Sequence, residues 1–155
     1  MTQQRIAGRL ATEHPIADDS PGLLLWQVTN RWQAAQRAAL KPFGLTHVQF
    51  VLLASLAWLD DGHPVTQRQL ADHAVTDPMM TSQVLRALEQ RELIRRVEHP
   101  RDKRAVAVSV TDQGSALAGR ANAAVEACDR AFFVRLGPLA DDFLTSLRTL
   151  QRPSS

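Results

Sequence analysis

The segment His99-Pro-Arg-Asp-Lys-Arg104 carries the residue types best suited to gripping a charged partner. It sets an acid, Asp102, two residues before Arg104 in a tight loop between two strand-like runs. A carboxylate at that spacing can accept from an arginine and fix its direction. An arginine held so can enter the narrow minor groove of duplex DNA, where the potential is most negative. Alone, the same residues would make a plain turn with a local ion pair worth well under ~1 kcal/mol, so the neighbouring elements decide. Upstream, Arg86 can reach a guanine edge or a phosphate, and Thr81 and Ser82 can donate to phosphates or bases.

These residues need elements to hold them, and the chain supplies start and stop signals for six helices. Ser20-Pro21 places a capping hydroxyl before proline at the first helical position, and the helix runs to about Lys41, where Pro42 and Gly44 end it. Leu25, Val28, Trp32, Ala35 and Ala39 share one of its faces. Thr46-His-Val-Gln49 and Thr66-Gln-Arg-Gln69 both have capping-box spacing. They open a second helix to Leu59 and a third to about Ala74, separated by a turn at Asp60-Asp-Gly-His-Pro64. Thr76-Asp-Pro78 opens a fourth helix, to about Arg91. Its expected inner face is Met80, Val84 and Leu88, which leaves Met79, Ser82 and Arg86 outside and Gln83 at the edge. Ile94–Glu98 and Ala105–Val110 alternate as strands of a two-stranded wing. Thr111-Asp112 caps a fifth helix to about Leu136, Gly137-Pro138 breaks it, and a sixth spans about 139–151.

The layout is one mostly helical α+β domain. Two short helices followed by a basic hairpin make a winged helix-turn-helix, a device for holding duplex nucleic acid. A polar arm, residues 1–19, precedes it, with a helical turn expected near Ile6–Leu10.

Bulk properties agree without deciding. A chain of 155 residues that is 45% hydrophobic and 22% charged is long enough for a core and too apolar for disorder. The net charge of +2 says little, but seven of the 18 basic residues (Arg86, Arg91, Arg95, Arg96, Arg101, Lys103, Arg104) lie within 86–104. The single cysteine, Cys128, allows no intrachain disulfide and fits a reducing cytoplasm. Arg5, Arg9 and Glu13 interrupt any leader-like apolar run, and no segment approaches the ~18 apolar residues of a membrane span. The expectation is a cytoplasmic protein with no membrane partner.

Several segments, in order, resemble the MarR family of bacterial transcription regulators. Leu23-Leu-Leu-Trp-Gln-Val-Thr-Asn-Arg-Trp32 is similar to the family's opening helix and Gly44-Leu-Thr-His-Val-Gln-Phe-Val-Leu-Leu53 to its second. Thr76-Asp-Pro-Met-Met-Thr-Ser-Gln-Val-Leu-Arg-Ala-Leu-Glu89 resembles its recognition helix, Leu93-Ile-Arg-Arg-Val-Glu-His-Pro-Arg-Asp-Lys-Arg104 its wing, and Val108-Ser-Val-Thr-Asp-Gln-Gly114 the exit from it. Glu92 departs from the pattern, since the family commonly has glycine there, and so does the long arm before Ser20.

The resemblance implies a MarR-type domain over 20–152, with the winged helix-turn-helix at about 46–110 and dimerisation helices at about 20–41 and 112–151. It implies a homodimer on a near-palindromic double-stranded operator, acting as a repressor that a small molecule releases. The apolar residues Leu117, Val125, Phe132, Phe133, Leu136, Leu139, Phe143, Leu144, Leu147 and Leu150 exceed what one small winged domain can cover. The candidate DNA contacts are Thr66, Gln67 and Arg68; Met79, Thr81, Ser82, Gln83 and Arg86; and Arg101, Asp102 and Arg104.

The family's effector pocket lies between the dimer helices and the head. Trp26, His47 and Phe50, with Trp32 and Trp58 nearby in sequence, are the residues placed to line it, and aromatics with a histidine suit a phenol or an aromatic carboxylate. Cys128 is read as a buried small residue and not a redox switch. His14, His47, His63, His73 and His99 have no ligand spacing, so no metal or cofactor is expected. A winged-helix module that binds protein instead of DNA fits the same helices. An enzyme does not, because there is no glycine-rich phosphate loop and no nucleophile–base pairing.

Overall fold

A computed structural model describes residues 5–154. The six expected helices are present: α1 (Pro21–Leu40), α2 (His47–Leu59), α3 (Gln67–Ala74), α4 (Pro78–Gln90), α5 (Asp112–Phe133) and α6 (Ala140–Gln151). Each of the first five starts where its capping residue lies. Ser20 Oγ accepts from Leu23 N at 3.3 Å, and Thr46 and Thr66 each form both halves of a capping box. Asp77 and Thr111 cap α4 and α5.

The helical turn expected near Ile6–Leu10 is replaced by strands, and the described part of the arm turns helically only at Ala17–Asp19, as a short 3₁₀ segment. The strands form a small antiparallel hairpin, β1 (Arg5–Ala7) with β2 (Leu10–Thr12), turned at Gly8 with φ +63°. A positive φ favours glycine, and the two-residue link between strands closes the hairpin more tightly than a helical turn could.

The wing has three strands, not two. β4 (Ile94–Glu98) pairs antiparallel with β5 (Val106–Val110), as expected, and β3 (Val65–Thr66) adds to the other edge of β5, with Val65 opposite Val108. Two residues are too few for an alternation pattern, so β3 carried no signal of its own. Its effect is to tie the start of α3 to the wing.

The core lies where α2 crosses α1, α4 and α5. Leu40, Leu52, Leu53, Leu56, Leu70, Leu85, Leu88 and Ile94 are fully buried there. Gly114 sits in the first turn of α5 against the Leu93 carbonyl, where any Cβ would overlap backbone atoms. That contact sets how closely α5 approaches the wing. α5 ends at Phe133, earlier than expected, and a 3₁₀ segment, Val134–Leu139, leads to α6. Gly137 turns the chain there with φ 52° and ψ −124°, a combination open to glycine.

No single described helix is long and apolar enough to cross a membrane. α1 and α6 leave much apolar surface uncovered: Leu23, Leu24, Leu25, Trp26 and Val28 on the first, Leu144, Leu147 and Leu150 on the second.

Candidate nucleic-acid interface

The start of α3 and the wing face one another across a cleft of about 800 Å³. Thr66, Gln67, Arg68, Asp102 and Arg104 line it, together with Pro78 at the start of α4. Five candidates from distant parts of the sequence thus share one surface, because β3 docks the α3 start beside the wing. Thr66 Oγ1 accepts from Gln69 N at 3.0 Å, and Gln69 Oε1 accepts from Thr66 N at 2.9 Å. The capping box therefore fixes the backbone on which Arg68 stands. Gln67 Oε1 is buried without a partner, and Arg68 is exposed.

α4 presents Met79, Gln83 and Arg86 to solvent, with Met79 75% exposed, and Ser82 half-buried. Thr81, expected on the DNA-facing side, is buried instead. It is 0% exposed, its hydroxyl donates to the Asp77 carbonyl at 2.8 Å, and Thr81 Oγ1 lies 2.7 Å from Thr76 Oγ1. A threonine whose hydroxyl bonds to its own helix can be buried, and a polarity pattern misreads it as outward-facing. The buried face is Thr81, Leu85 and Leu88, with Val84 packed beside it, while the expected inner residue Met80 is 39% exposed. Thr81 is held inside the helix packing, and its hydroxyl does not face solvent.

Two turns frame α4, and each uses a left-handed residue that is not glycine. Val75 has φ 52°, with its N–H bonded to the Asp72 carbonyl and that of Thr76 bonded to the Ala71 carbonyl. Glu92 has φ 59°, with its N–H on the Glu89 carbonyl and the Leu93 N–H on the Leu88 carbonyl. Both are Schellman closures, normally made with glycine. The departure at Glu92 therefore leaves the turn geometry intact and places the strain in the residue. Thr111 Oγ1 donates to the Glu92 carbonyl at 2.7 Å and holds the turn against α5.

The wing tip is ordered by backbone-directed bonds. Asp102 Oδ1 accepts from the amide of Arg104 at 3.0 Å, and His99 Nδ1 from the amide of Arg101 at 3.1 Å. Asp102 was expected to orient a guanidinium. It fixes the loop backbone instead, and the Arg101 and Arg104 side chains extend from that frame into solvent. Two of the clustered cations are engaged within the protein. Arg91 Nη1 donates to the Gly44 carbonyl at 2.8 Å, and Arg96 pairs with Glu89 at 3.1 Å. The hydrogen bond from Arg96 holds the Glu89 carboxyl below its ordinary range. Arg86, Arg95, Arg101, Lys103 and Arg104 make no ion pair among the described residues.

The expected effector residues lie in different surroundings. Phe50 is a buried core residue, packed with the leucines of α2. Trp26 is 69% exposed on the uncovered face of α1, and Trp58 is exposed at the far end of α2. His47 does meet an aromatic: its ring lies 5.1 Å from that of Trp32, edge to face. Burial, then the charge of Arg37, pushes its pKa below the ordinary value of 6.5, with Asp129 opposing.

Sequence reasoning missed Gln36 and Asp129 as members of this cluster. Trp32 Nε1 and Gln36 Nε2 both donate to Asp129 Oδ1, at 2.8 and 2.6 Å. Gln36 falls at the four-residue steps from Trp32 to Leu40, so a polar residue on a buried stripe was the available signal. Cys128 is half-buried, and burial and then Asp129 push its thiol up, away from thiolate reactivity.

Comparison with known proteins agrees with this geometry. The model of the MarR family matches residues 45–106, the span from the α2 cap to the wing. The HTH-type transcriptional regulator YdcH of Bacillus subtilis is 44% identical over 132 residues, covering 84% of this chain and 89% of its own. The HTH-type transcriptional repressor Rv2887 of Mycobacterium tuberculosis is 35% identical over 137 residues, covering 87% and 96%. The crystal structure of Rv2887 in complex with DNA superposes with a TM-score of 0.66, covering 86% of this chain and 98% of that one at 32% identity. CouR of Rhodococcus jostii, bound to p-coumaroyl-CoA, gives a TM-score of 0.78 at 27% identity, covering 90% and 97%. With a regulator 44% identical along most of its length, this chain belongs to the MarR family of helix-turn-helix transcriptional regulators.

Proposed function

We propose that the chain is a cytoplasmic repressor that binds a near-palindromic operator as a homodimer and leaves it when a small aromatic or phenolic ligand binds. The observation that carries the DNA contact is the shared cleft: Arg68 and Arg104 come from opposite walls of one groove beside the recognition helix α4. Backbone amides and cations there suit phosphates, while Arg86, Gln83 and Met79 on the exposed face of α4 suit base edges. Arg101 and Arg104 on the ordered loop suit the minor groove.

The dimer is supported by the uncovered apolar faces of α1 and α6, which a second copy would bury. A repressor role is supported by the name of Rv2887, and an aromatic effector by that protein's crystal structure in complex with salicylic acid.

The test is a gel shift on a duplex selected from a random pool by the wild-type protein. Arg104→Ala should weaken binding on every sequence, and Arg86→Ala should change it by ~1–3 kcal/mol and relax the preference at one base pair. If both variants shift the duplex like wild type, this mode of binding is wrong. A salt-insensitive association with no duplex shift would favour a protein-binding winged helix.

A further inference from the structure

A polar cluster joins the two kinds of helix in this molecule. Trp32 and Gln36 lie on α1, Asp129 on α5, and His47 opens α2 of the DNA-binding head. One carboxylate oxygen, Asp129 Oδ1, accepts from both the Trp32 indole at 2.8 Å and the Gln36 amide at 2.6 Å. These N–H groups are the ones an incoming carboxylate would seek, and the chain's own carboxylate already occupies them.

Gln36 is 0% exposed, and its other amide atom, Oε1, is buried without a partner. The amide cannot turn to relieve this. A turned amide would set Oε1 against the Asp129 carboxylate and lose the 2.6 Å bond. An unpaired acceptor therefore remains beside the edge-to-face pair of Trp32 and His47. A buried acceptor of this kind stores free energy that a ligand's donor can release. Trp32, His47 and Asp129 are only half-buried, so the cluster is approached from outside past these three side chains, with Gln36 behind them.

We propose that this cluster selects the effector by its hydrogen-bonding sense: a neutral aromatic donor of the phenol or alcohol class over an aromatic carboxylate. The inference rests on the effector reading above and narrows it. The ring stacks on or beside Trp32 and His47, and the ligand hydroxyl donates to Gln36 Oε1. A ligand carboxylate would find its donors taken and a like charge, Asp129, beside it. Arg37, on the same helix as Gln36, acts on His47 with a positive charge that opposes that of Asp129. Contact at this junction touches α1, α2 and α5 at once, so it changes the angle of the head on the dimer helices.

The experiment is release of a labelled, selected operator duplex from the full-length protein, followed by fluorescence anisotropy at pH 7.5. The probes are salicyl alcohol and salicylate, which share the ring and the ortho hydroxyl and differ in the charge of the second group. The inference expects half-release by salicyl alcohol at a concentration roughly tenfold below that of salicylate. Asp129→Asn should close that gap by improving salicylate. Gln36→Met, of similar volume, should close it by weakening salicyl alcohol. Equal potency of the two probes on the wild-type protein, or stronger action by salicylate, overturns the inference whether or not the variants fold. If the protein shifts the duplex but neither probe releases it, the effector reading itself fails, and this inference with it.

Discussion

Glu92 shows how a single backbone position divides stability from function. Its φ of 59° is left-handed, a conformation that costs a side-chain-bearing residue ~1 kcal/mol or more relative to glycine. Glu92→Gly should therefore raise stability by about 1 kcal/mol in urea unfolding and leave operator affinity unchanged, since its carbonyl bond from Thr111 survives. An unchanged or lowered midpoint would mean that the Glu92 side chain offsets the strain. Thr81 makes the opposite case. Thr81→Ala removes a buried hydroxyl bond and should cost about 1–2 kcal/mol of stability, with no change in affinity per folded dimer. If instead its loss cuts affinity for the duplex while the melting temperature holds, Thr81 touches DNA after all.

His47 adds a pH dependence at this scale. Burial lowers its folded pKa below 6.5, so the unfolded chain binds the proton more readily. Stability from this group is present above pH 6.5 and is lost as the pH falls below that value toward the folded pKa. Melting curves between pH 7.5 and 5.5 should show the decline, and His47→Gln should flatten it.

At the level of elements, helix starts were legible because a capping residue acts within three positions of itself. Ser20, Thr46, Thr66, Asp77 and Thr111 each accept the expected amide. The register of α4 was not legible. One buried threonine with a satisfied hydroxyl shifts the apparent apolar stripe by a residue, and only the surrounding core reveals it. β3 and the Gln36–Asp129 bond escaped for another reason: both depend on partners far away in sequence, Val108 for the strand and α5 for the glutamine. The basic loop was identifiable, but the role of Asp102 was not, because a side chain two residues before an arginine can reach its amide as readily as its guanidinium.

The contact of α5 with the wing is the element-scale feature most open to test. Gly114→Ala would drive a methyl into the Leu93 carbonyl, and α5 must move away to admit it. The expected cost is about 1–3 kcal/mol, seen as a lowered unfolding midpoint. A midpoint equal to wild type would show that the two elements yield freely.

For the whole molecule, the sequence pattern carries the α1 and α6 apolar stripes, and the fold shows that one chain does not cover them. Leu150→Glu on that face should convert a particle of twice 17.2 kDa, measured by light scattering, toward a single subunit, and weaken operator binding with it. Retention of the full-size particle would place the contact on another face.

Operator binding of the kind proposed requires two recognition helices acting together on one duplex. Hydroxyl-radical footprinting of the selected operator tests this most directly. Two protected blocks are predicted, about one helical turn apart and related by a dyad, with added minor-groove protection where the wings reach. A single protected block, or protection that spreads without a dyad, would contradict it.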